Sequence, residues 1–280
     1  MSAYEEAAAI SAYEAASAYE ATTAQDGPLA ELAAHGPRYR LGLGVPPPGA
    51  PGWLAADRLL DPYGPELSQL LDTEHRGSGH RTAHAAALTL IAVYAGRVTA
   101  AAVLHWALTG RVLDVRPGNV WLRPDPGHGI AEVRLRAFRM LDEPDVPDSP
   151  EADAGSAATV QRAVLTQHLF PLADALRERT RAGLRQLRGG VAHGCATALG
   201  ASRADPDLLA RRWAAFLDGA PGGLAALGDV VAVTRPDGTR RLVYLRRTCC
   251  LFYTSAEAVR CASCCLTSRD ARIAAYEGRA

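Results

Sequence analysis

The sequence predicts an α+β fold that is mainly helical, with a β-hairpin in each half of the chain and a C-terminal subdomain built around cysteines. Three observations lead to this prediction. Apolar side chains recur at helical spacing through much of the chain. Two pairs of short segments carry the residue types of strands on either side of turn-forming residues. Five of the six cysteines fall within residues 249–265.

The composition is that of a folded chain of 280 residues, 48% hydrophobic and 21% charged. Its 30 basic residues, all arginine, are balanced by 30 acidic residues, which argues against general nucleic-acid binding. The longest apolar stretch, 85–96, is too short for a membrane helix, so we expect no integral membrane segment. The N-terminus carries acids where a secretory signal carries positive charge. We therefore expect a cytoplasmic protein, either free or peripheral at the inner face of the membrane.

The first part of the chain divides into a leader and a folded region. Residues 1–27 repeat the tetrapeptide Ser-Ala-Tyr-Glu and contain few large apolar groups, which predicts a low-complexity leader. Residues 28–141 are expected to form an N-terminal α+β region. Prolines and glycines between 42 and 52 predict a loop near its beginning.

A helix and a hairpin follow in the same region. Residues 84–108 are apolar all round and rich in alanine, which predicts a buried helical region, with a break near Gly96. Residues 119–122 and 131–137 read as strands, and in the second of them apolar and polar residues alternate. The turn residues between them predict a hairpin.

Residues 142–156 carry six acids and three prolines, and we interpret them as a linker or a long surface loop. Residues 157–280 are expected to form a C-terminal helical region. Leucine spacing over 164–176 predicts a helix with a kink at Pro171. Asp205-Pro206 combines a helix-capping residue with a proline at the first helical position, so it predicts the start of another helix.

The second hairpin leads into the cysteines. Residues 230–234 and 241–245 flank Pro236-Asp237-Gly238, which is a turn signal between two strands. The second of these strands ends shortly before Cys249. The hairpin therefore positions the first cysteines of the cluster.

The clustered cysteines are spaced as Cys-Cys, ten residues, Cys, two residues, Cys. Four thiolates in two close pairs suit either tetrahedral zinc or an iron–sulfur cluster, and free thiols are the third alternative. Cys261 and Cys264 are spaced so that one turn presents both sulfurs. Neighbouring side chains on a strand point to opposite faces, so Cys249 and Cys250 bind one group only if the backbone turns sharply there.

The run from Arg246 to Tyr253, followed by Cys261-Ala262-Ser263-Cys264, resembles the C-terminal signature of FhuF-type ferric-siderophore reductases. A weaker resemblance covers the small-residue segment 187–199. The resemblance implies one [2Fe-2S] cluster, so the C-terminal part of the chain is expected to be an iron–sulfur subdomain. The ligands that it implies are Cys249, Cys250, Cys261 and Cys264. Cys265 follows directly and is an alternative to Cys264.

The resemblance also implies a function. It predicts a cytosolic ferric-siderophore reductase, an oxidoreductase of iron acquisition that reduces Fe(III)-hydroxamate complexes by one electron and releases Fe(II). No catalytic residue is expected beyond the cluster, and the expected electron donor is a ferredoxin-like protein. Residues 235–280 hold nine arginines and four acids, a balance that suits an acidic carrier. The alternative is a non-catalytic iron–sulfur or zinc-binding protein that serves as a sensor or an assembly module.

Four side chains outside the cysteine cluster are also candidates for metal binding or reactive chemistry. Cys195 lies among small residues far from the cluster, which favours a buried packing thiol. His80 and His84 are four residues apart and are candidates either for a metal pair or for surface and capping roles. His193 is a candidate for approaching the cluster.

Overall fold

The structure, a computed structural model, describes residues 27–141 and 150–279, and the α+β, mainly helical prediction is confirmed. The helices are α1 Pro28–Ala34, α2 Pro65–Ser78, α3 Ala83–Val98, α4 Ala100–Thr109, α5 Pro150–Val160, α6 Phe170–Thr180, α7 Leu184–Gly200, α8 Pro206–Leu217 and α9 Arg269–Glu277. The strands are β1 Gly42–Leu43, β2 Leu54–Ala55, β3 Val112–Leu113, β4 Val120–Pro124, β5 Ile130–Leu135, β6 Met140–Leu141, β7 Gly228–Thr234 and β8 Arg240–Arg246. The leader predicted over residues 1–27 lies, apart from its last residue, outside the described residues.

Helices α3 and α7 cross at the centre of the core. The apolar helical region is confirmed, but its break falls at Thr99, between α3 and α4, and not at Gly96. Gly96 lies instead at the crossing, where a Cβ added to Gly194 would be 2.6 Å from the Gly96 nitrogen and 2.4 Å from the Ala95 Cβ. Glycine at position 194 therefore allows the two backbones to approach, and Gly96 lies within a continuous helix.

The membrane-span test gives a negative result for the described parts of the chain. No single helix there is long and apolar enough to cross a membrane. Together, α3 and α4 have the length and composition, but the pair is bent by 46° at its junction.

The first hairpin is confirmed as β4 and β5, which form the centre of a four-stranded sheet in the order β1-β5-β4-β2. The loop predicted over residues 42–52 is wrong at its beginning, because Gly42 and Leu43 pair with β5 in parallel. The Gly44 amide extends this pairing with a hydrogen bond to the Leu135 carbonyl at 2.9 Å. A strand of two residues is too short to show the alternation that reveals strands in a sequence.

The acidic segment is partly helical. Residues 142–149 lie outside the described residues, but α5 starts at Pro150, so the loop predicted over 142–156 is wrong for its second half. Alanine and glutamate are strong helix formers, and they favour a helix here despite the charge. The helix is continuous with a π-helical segment, Gln161–Leu169, where the Gln161 side chain donates hydrogen bonds to the carbonyls of Phe216 and Asp218 at 3.0 and 2.7 Å.

The helix predicted over residues 164–176 is confirmed as that π-helical segment followed by α6. Pro171 lies in the first turn of α6, where its missing N–H is tolerated. The π-helical turns end at Leu169, before the proline, and the kink at Pro171 stays a prediction.

The C-terminal predictions are confirmed at two places. The Asp205 carboxylate accepts hydrogen bonds from the amides of Asp207 and Leu208, so it caps α8. Strands β7 and β8 form the second hairpin, with Gly228 opposite Arg246. Strand β8 packs against α7 and carries the chain to the cysteines.

Candidate metal centre

The backbone turns sharply directly after the adjacent cysteines. Leu251 has a φ of 58°, in the left-handed region, and a short 3₁₀ turn, Phe252–Thr254, follows it. The Leu251 amide donates a hydrogen bond to the Cys249 Sγ at 3.4 Å. The chain therefore leaves the extended conformation directly after the adjacent cysteines, in line with the sharp turn that their binding of one group would require.

The ten residues that separate the cysteine pairs are anchored to the N-terminal half of the chain. The Ala256 amide donates to the Ser78 carbonyl at 2.9 Å. The His80 ring lies edge-on against Phe252, and its Nδ1 is 3.1 Å from the Thr254 hydroxyl. These contacts fix the position of the loop between Cys250 and Cys261.

His80 is committed to this anchoring role. Its other ring nitrogen, Nε2, lies 2.8 Å from the Thr89 hydroxyl, so both nitrogens already have partners. Burial lowers the pKa of His80, which favours the neutral ring. His80 precedes α3 while His84 lies within it, so the structure does not form the metal pair considered from the sequence.

Cys250 and Cys261 form the first contact between cysteines. A hydrogen bond from the Cys261 thiol, aided by the charge of Arg246, lowers the pKa of Cys250. The same hydrogen bond raises the pKa of Cys261. The Cys264 amide donates to the Cys261 carbonyl at 2.9 Å, which closes the predicted turn between these two cysteines.

Cys249 and Cys265 form the second contact. Burial raises the pKa of Cys265, and the charges of Cys249 and Cys264 and a hydrogen bond with Cys249 act in the same direction. Cys264, which is 5% exposed, is buried beside Cys265. The structure therefore places both alternatives for the fourth ligand at the cluster.

Thiols arranged in two pairs suit a two-iron cluster, which four cysteine ligands hold at two iron atoms, and here the thiol in contact with Cys249 is that of Cys265. A tetrahedral zinc site instead gathers its ligands around one ion. Within residues 27–141 and 150–279, no group of three or more histidine, cysteine, aspartate or glutamate side chains surrounds a single ion position.

Arg246 supplies positive charge at the base of the cysteines. Its side chain is 2% exposed, and its Nε and Nη2 have no hydrogen-bond partner among the described residues. Its charge also acts to lower the pKa of Cys250, Cys261 and Cys265. A buried guanidinium without partners is costly, and a group bound through four thiolates is negatively charged, so the residues present fit an iron–sulfur group.

An open pocket of about 390 Å³ adjoins Cys250 and Cys261. Its walls come from α3, α7, the end of the β4–β5 turn and the cysteine segment. His193 lines it, as the sequence suggested, while burial and the charges of Arg246 and Arg38 hold the pKa of His193 well below its ordinary value. A small molecule bound in this pocket would lie next to two of the cysteines.

Sequence reasoning missed the role of Gly189. A Cβ added there would lie 1.9 Å from the Thr248 hydroxyl oxygen, so only glycine lets α7 approach the residue that precedes Cys249. The signal that could have found it is the Gly189-Gly190 pair inside a predicted helix. Cys195, on the same helix, is fully buried and its pKa is raised by burial to about 12, which confirms the packing thiol.

The comparisons with known proteins agree with the motif. Residues 246–266 match the family model described as the FhuF 2Fe-2S C-terminal domain. No curated protein matches the chain. The matched segment holds all five clustered cysteines and Arg246, and the resemblance predicted from the sequence is confirmed. The C-terminal cysteine segment of this protein is therefore similar to the FhuF 2Fe-2S C-terminal domain, and this match supports a [2Fe-2S] cluster as its cofactor.

Proposed function

We propose that the protein is a cytoplasmic ferric-siderophore reductase, which transfers one electron to the Fe(III) of a hydroxamate complex and releases Fe(II). The observation that carries this proposal is the FhuF-type 2Fe-2S segment, supported by the open pocket beside Cys250 and Cys261. We assign the ligand roles to Cys249, Cys250, Cys261 and Cys264. When bound, the cluster supplies single electrons at a potential that local charge, hydrogen bonds and exposure set.

The proposed reaction balances with one electron. Fe(III) gains the electron and becomes Fe(II), while the donor protein loses one electron. Hydroxamate oxygens are hard ligands that hold Fe(II) far less tightly than Fe(III), so the iron dissociates from the siderophore. No bond to the protein forms or breaks, and the residues of this chain need only bind the complex, orient it and exclude competing oxidants.

For the electron donor we propose a small acidic ferredoxin-like protein that docks at the rim of the cysteine segment. Exposed apolar side chains surround the cysteines, and Arg260 is exposed directly before Cys261. The exposed apolar residues are Tyr253, Val259 and Leu266. Part of the local positive charge is already paired, because Asp229 forms ion pairs with both Arg247 and Arg269. Arg260 is accordingly the residue through which we expect the charge attraction to act.

The first experiment tests the cofactor and its ligands. Protein purified without oxygen should contain about two irons and two sulfides per chain and show an EPR signal only after reduction. Cys250→Ser and Cys261→Ser should each destroy or change the visible spectrum, and Cys195→Ser, a buried cysteine of α7, is the matched control. Stoichiometric zinc without visible absorption would overturn the proposal, because the reductase function depends on the iron–sulfur cofactor.

The second experiment tests the reaction. Reduced protein mixed with a ferric hydroxamate should be reoxidised, and an Fe(II)-specific dye should trap one iron per electron. Reloading by an acidic carrier should slow as salt rises, and Arg260→Glu should slow it at low salt. A reduced protein that no ferric hydroxamate reoxidises would favour the alternative, a non-catalytic sensor or assembly protein.

A further inference from the structure

Three arginines from distant parts of the chain line the pocket beside the cysteines. Arg38 precedes β1, Arg97 lies in the last turn of α3, and Arg246 ends β8. None of the three forms an ion pair with a carboxylate in the parts of the chain that the structure describes. The pocket thus concentrates positive charge in a partly buried concave surface, which strengthens the attraction for an anion.

The acids closest to this pocket are engaged elsewhere. Glu74 is buried, and its carboxylate bonds to the His128 ring at 2.8 Å and accepts from the Gly129 amide at 3.1 Å. Glu132, whose charge reaches Arg97, is paired with Arg123. Among the described residues, neither of these two acids forms an ion pair with an arginine of the pocket.

Arg246 and the other two arginines have different roles. Arg246 acts on the thiols of Cys250 and Cys261, so the charge of the bound cluster accounts for it. Arg38 and Arg97 form a separate group. The Arg97 Nη1 donates to the Arg38 carbonyl at 3.1 Å, and the Arg38 Nη1 donates to the Thr197 hydroxyl at 3.4 Å.

These two hydrogen bonds use few of the five N–H donors that each guanidinium carries. Burial, reinforced by the charge of Arg38, lowers the pKa of Arg97, as expected for two like charges held close together in a partly buried position. A ligand carboxylate would offset this repulsion and accept charge-assisted hydrogen bonds from both side chains.

Part of the pocket lining is apolar and suits the carbon chains of a chelator, while two threonines and two histidines supply further polar groups. Its apolar lining includes Ala92, Val93, Ile130 and Phe252. A ligand that fits all parts is amphipathic: aliphatic along these side chains, anionic at one end, and able to bring an iron centre to the cysteine end.

We propose that the pocket binds a ferric hydroxamate complex that carries a free carboxylate outside the iron cage, with the carboxylate held by Arg38 and Arg97. The iron cage then lies toward Cys250 and Cys261. This inference rests on the proposed function and deepens it, because it selects anionic complexes among the ferric hydroxamates.

The test uses two chelators that share one iron cage. N-succinyl desferrioxamine B ends in a carboxylate, whereas N-acetyl desferrioxamine B has a neutral amide end of similar size. Both are loaded with gallium(III), which is redox-inert, and their dissociation constants for the cluster-containing protein are measured by calorimetry. Because hydrogen bonds to charged groups contribute about 1.5–3 kcal/mol, we expect the succinyl complex to bind about 10- to 100-fold more tightly.

Three variants test whether Arg97 causes the preference for the succinyl complex. Arg97→Gln should reduce the ratio of the two dissociation constants to near one, while Arg97→Lys should restore most of it. Arg40→Gln changes an exposed arginine that does not line the pocket, so it should leave the ratio unchanged. A ratio near one in the wild type, or binding of neither gallium complex, would overturn the inference, as would an unchanged ratio in Arg97→Gln.

The same pair of chelators separates this inference from the proposed function. With iron(III) in place of gallium, reduction of both complexes at equal apparent affinity would refute the carboxylate site and leave the reductase standing. If neither complex is reduced, and no other ferric hydroxamate is reduced either, the reductase function itself is refuted. Preferential reduction of the succinyl complex, lost in Arg97→Gln, is the result that we expect.

Discussion

Gly189→Ala is expected to displace the segment that carries the cysteines. The Cβ that it adds would lie 1.9 Å from the Thr248 Oγ1, 2.7 Å from its Cβ and 2.8 Å from its Cγ2. Rotation of the Thr248 side chain does not relieve the clash, because the Thr248 Cβ is itself too close. Since favourable contacts begin near 3.5 Å, helix α7 and Thr248 must separate by roughly 1.5 Å. Cys249, the next residue, moves with Thr248.

The expected size follows from two opposing effects. Overpacking of this kind costs about 1–3 kcal/mol, while alanine in place of glycine inside a helix stabilises by about 1 kcal/mol. Gly155→Ala in α5 is the matched control, because no atom lies within 4 Å of a Cβ added there. With about 2–4 °C per kcal/mol for a chain of this size, Gly189→Ala should melt roughly 2–12 °C below Gly155→Ala.

The assay is thermal unfolding without oxygen, followed at the same time by circular dichroism and by the visible absorption of the cluster. Gly189→Ala should also contain less iron per chain, because its first cysteines are displaced. The double variant with Thr248→Gly should recover the iron content of Thr248→Gly alone, since the clashing side chain is gone. Equal melting temperatures and equal iron contents for Gly189→Ala and Gly155→Ala would refute this reasoning.

Three further predictions concern charge and ligation. Arg246→Gln should lower the midpoint potential of the cluster, because Coulomb energies of about 1–3 kcal/mol at an effective dielectric constant near 20 correspond to roughly 50–130 mV for one electron. A redox titration checks this, and an equal shift in the exposed neighbour Arg247→Gln would contradict it. Cys264→Ser should lose the visible spectrum while Cys265→Ser keeps it, and the reverse result would assign Cys265 as the fourth ligand. A hydrogen bond with Glu74 raises the pKa of His128 above its ordinary value of 6.5, so this pair stabilises the folded state fully below that value and loses its contribution as pH rises through the raised pKa. The free-energy difference between wild type and His128→Asn should therefore shrink as pH rises above 6.5, and a difference independent of pH would refute the assignment.

Elements that a local pattern defines could be predicted from the sequence. Continuous apolar character predicted α3 and α4, and an aspartate followed by proline predicted the start of α8. The two-residue strand β1 escaped prediction because its pairing with β5 depends on a partner about ninety residues away, as the register of Gly42 with Arg134 shows. The division of the chain at residues 142–156 stays a prediction.

Some residues of the candidate site could likewise be predicted from the sequence, and others could not. The cysteines were found because all five lie in one short segment. Arg38 and Arg97 were not found, because only the packing of the folded chain brings them to one pocket with Arg246. The choice of Cys264 over Cys265 as the fourth ligand stays a prediction, since the cysteine spacing alone does not distinguish adjacent residues of one type.

The anchoring of the cysteine loop has a consequence for the order in which this protein is made. The loop rests on Ser78 and His80, and Thr254 bonds to a residue 174 positions earlier in the chain. Domains fold as they leave the ribosome, N-terminal parts first. The surface around Ser78 and His80, on which the loop rests, can therefore form before the cysteines are translated. The cluster can then be inserted only as a late step, after the cysteine segment has been made. A nascent chain interrupted ahead of residue 249 would leave the Ser78 carbonyl and the His80 ring without the partners that the cysteine loop supplies.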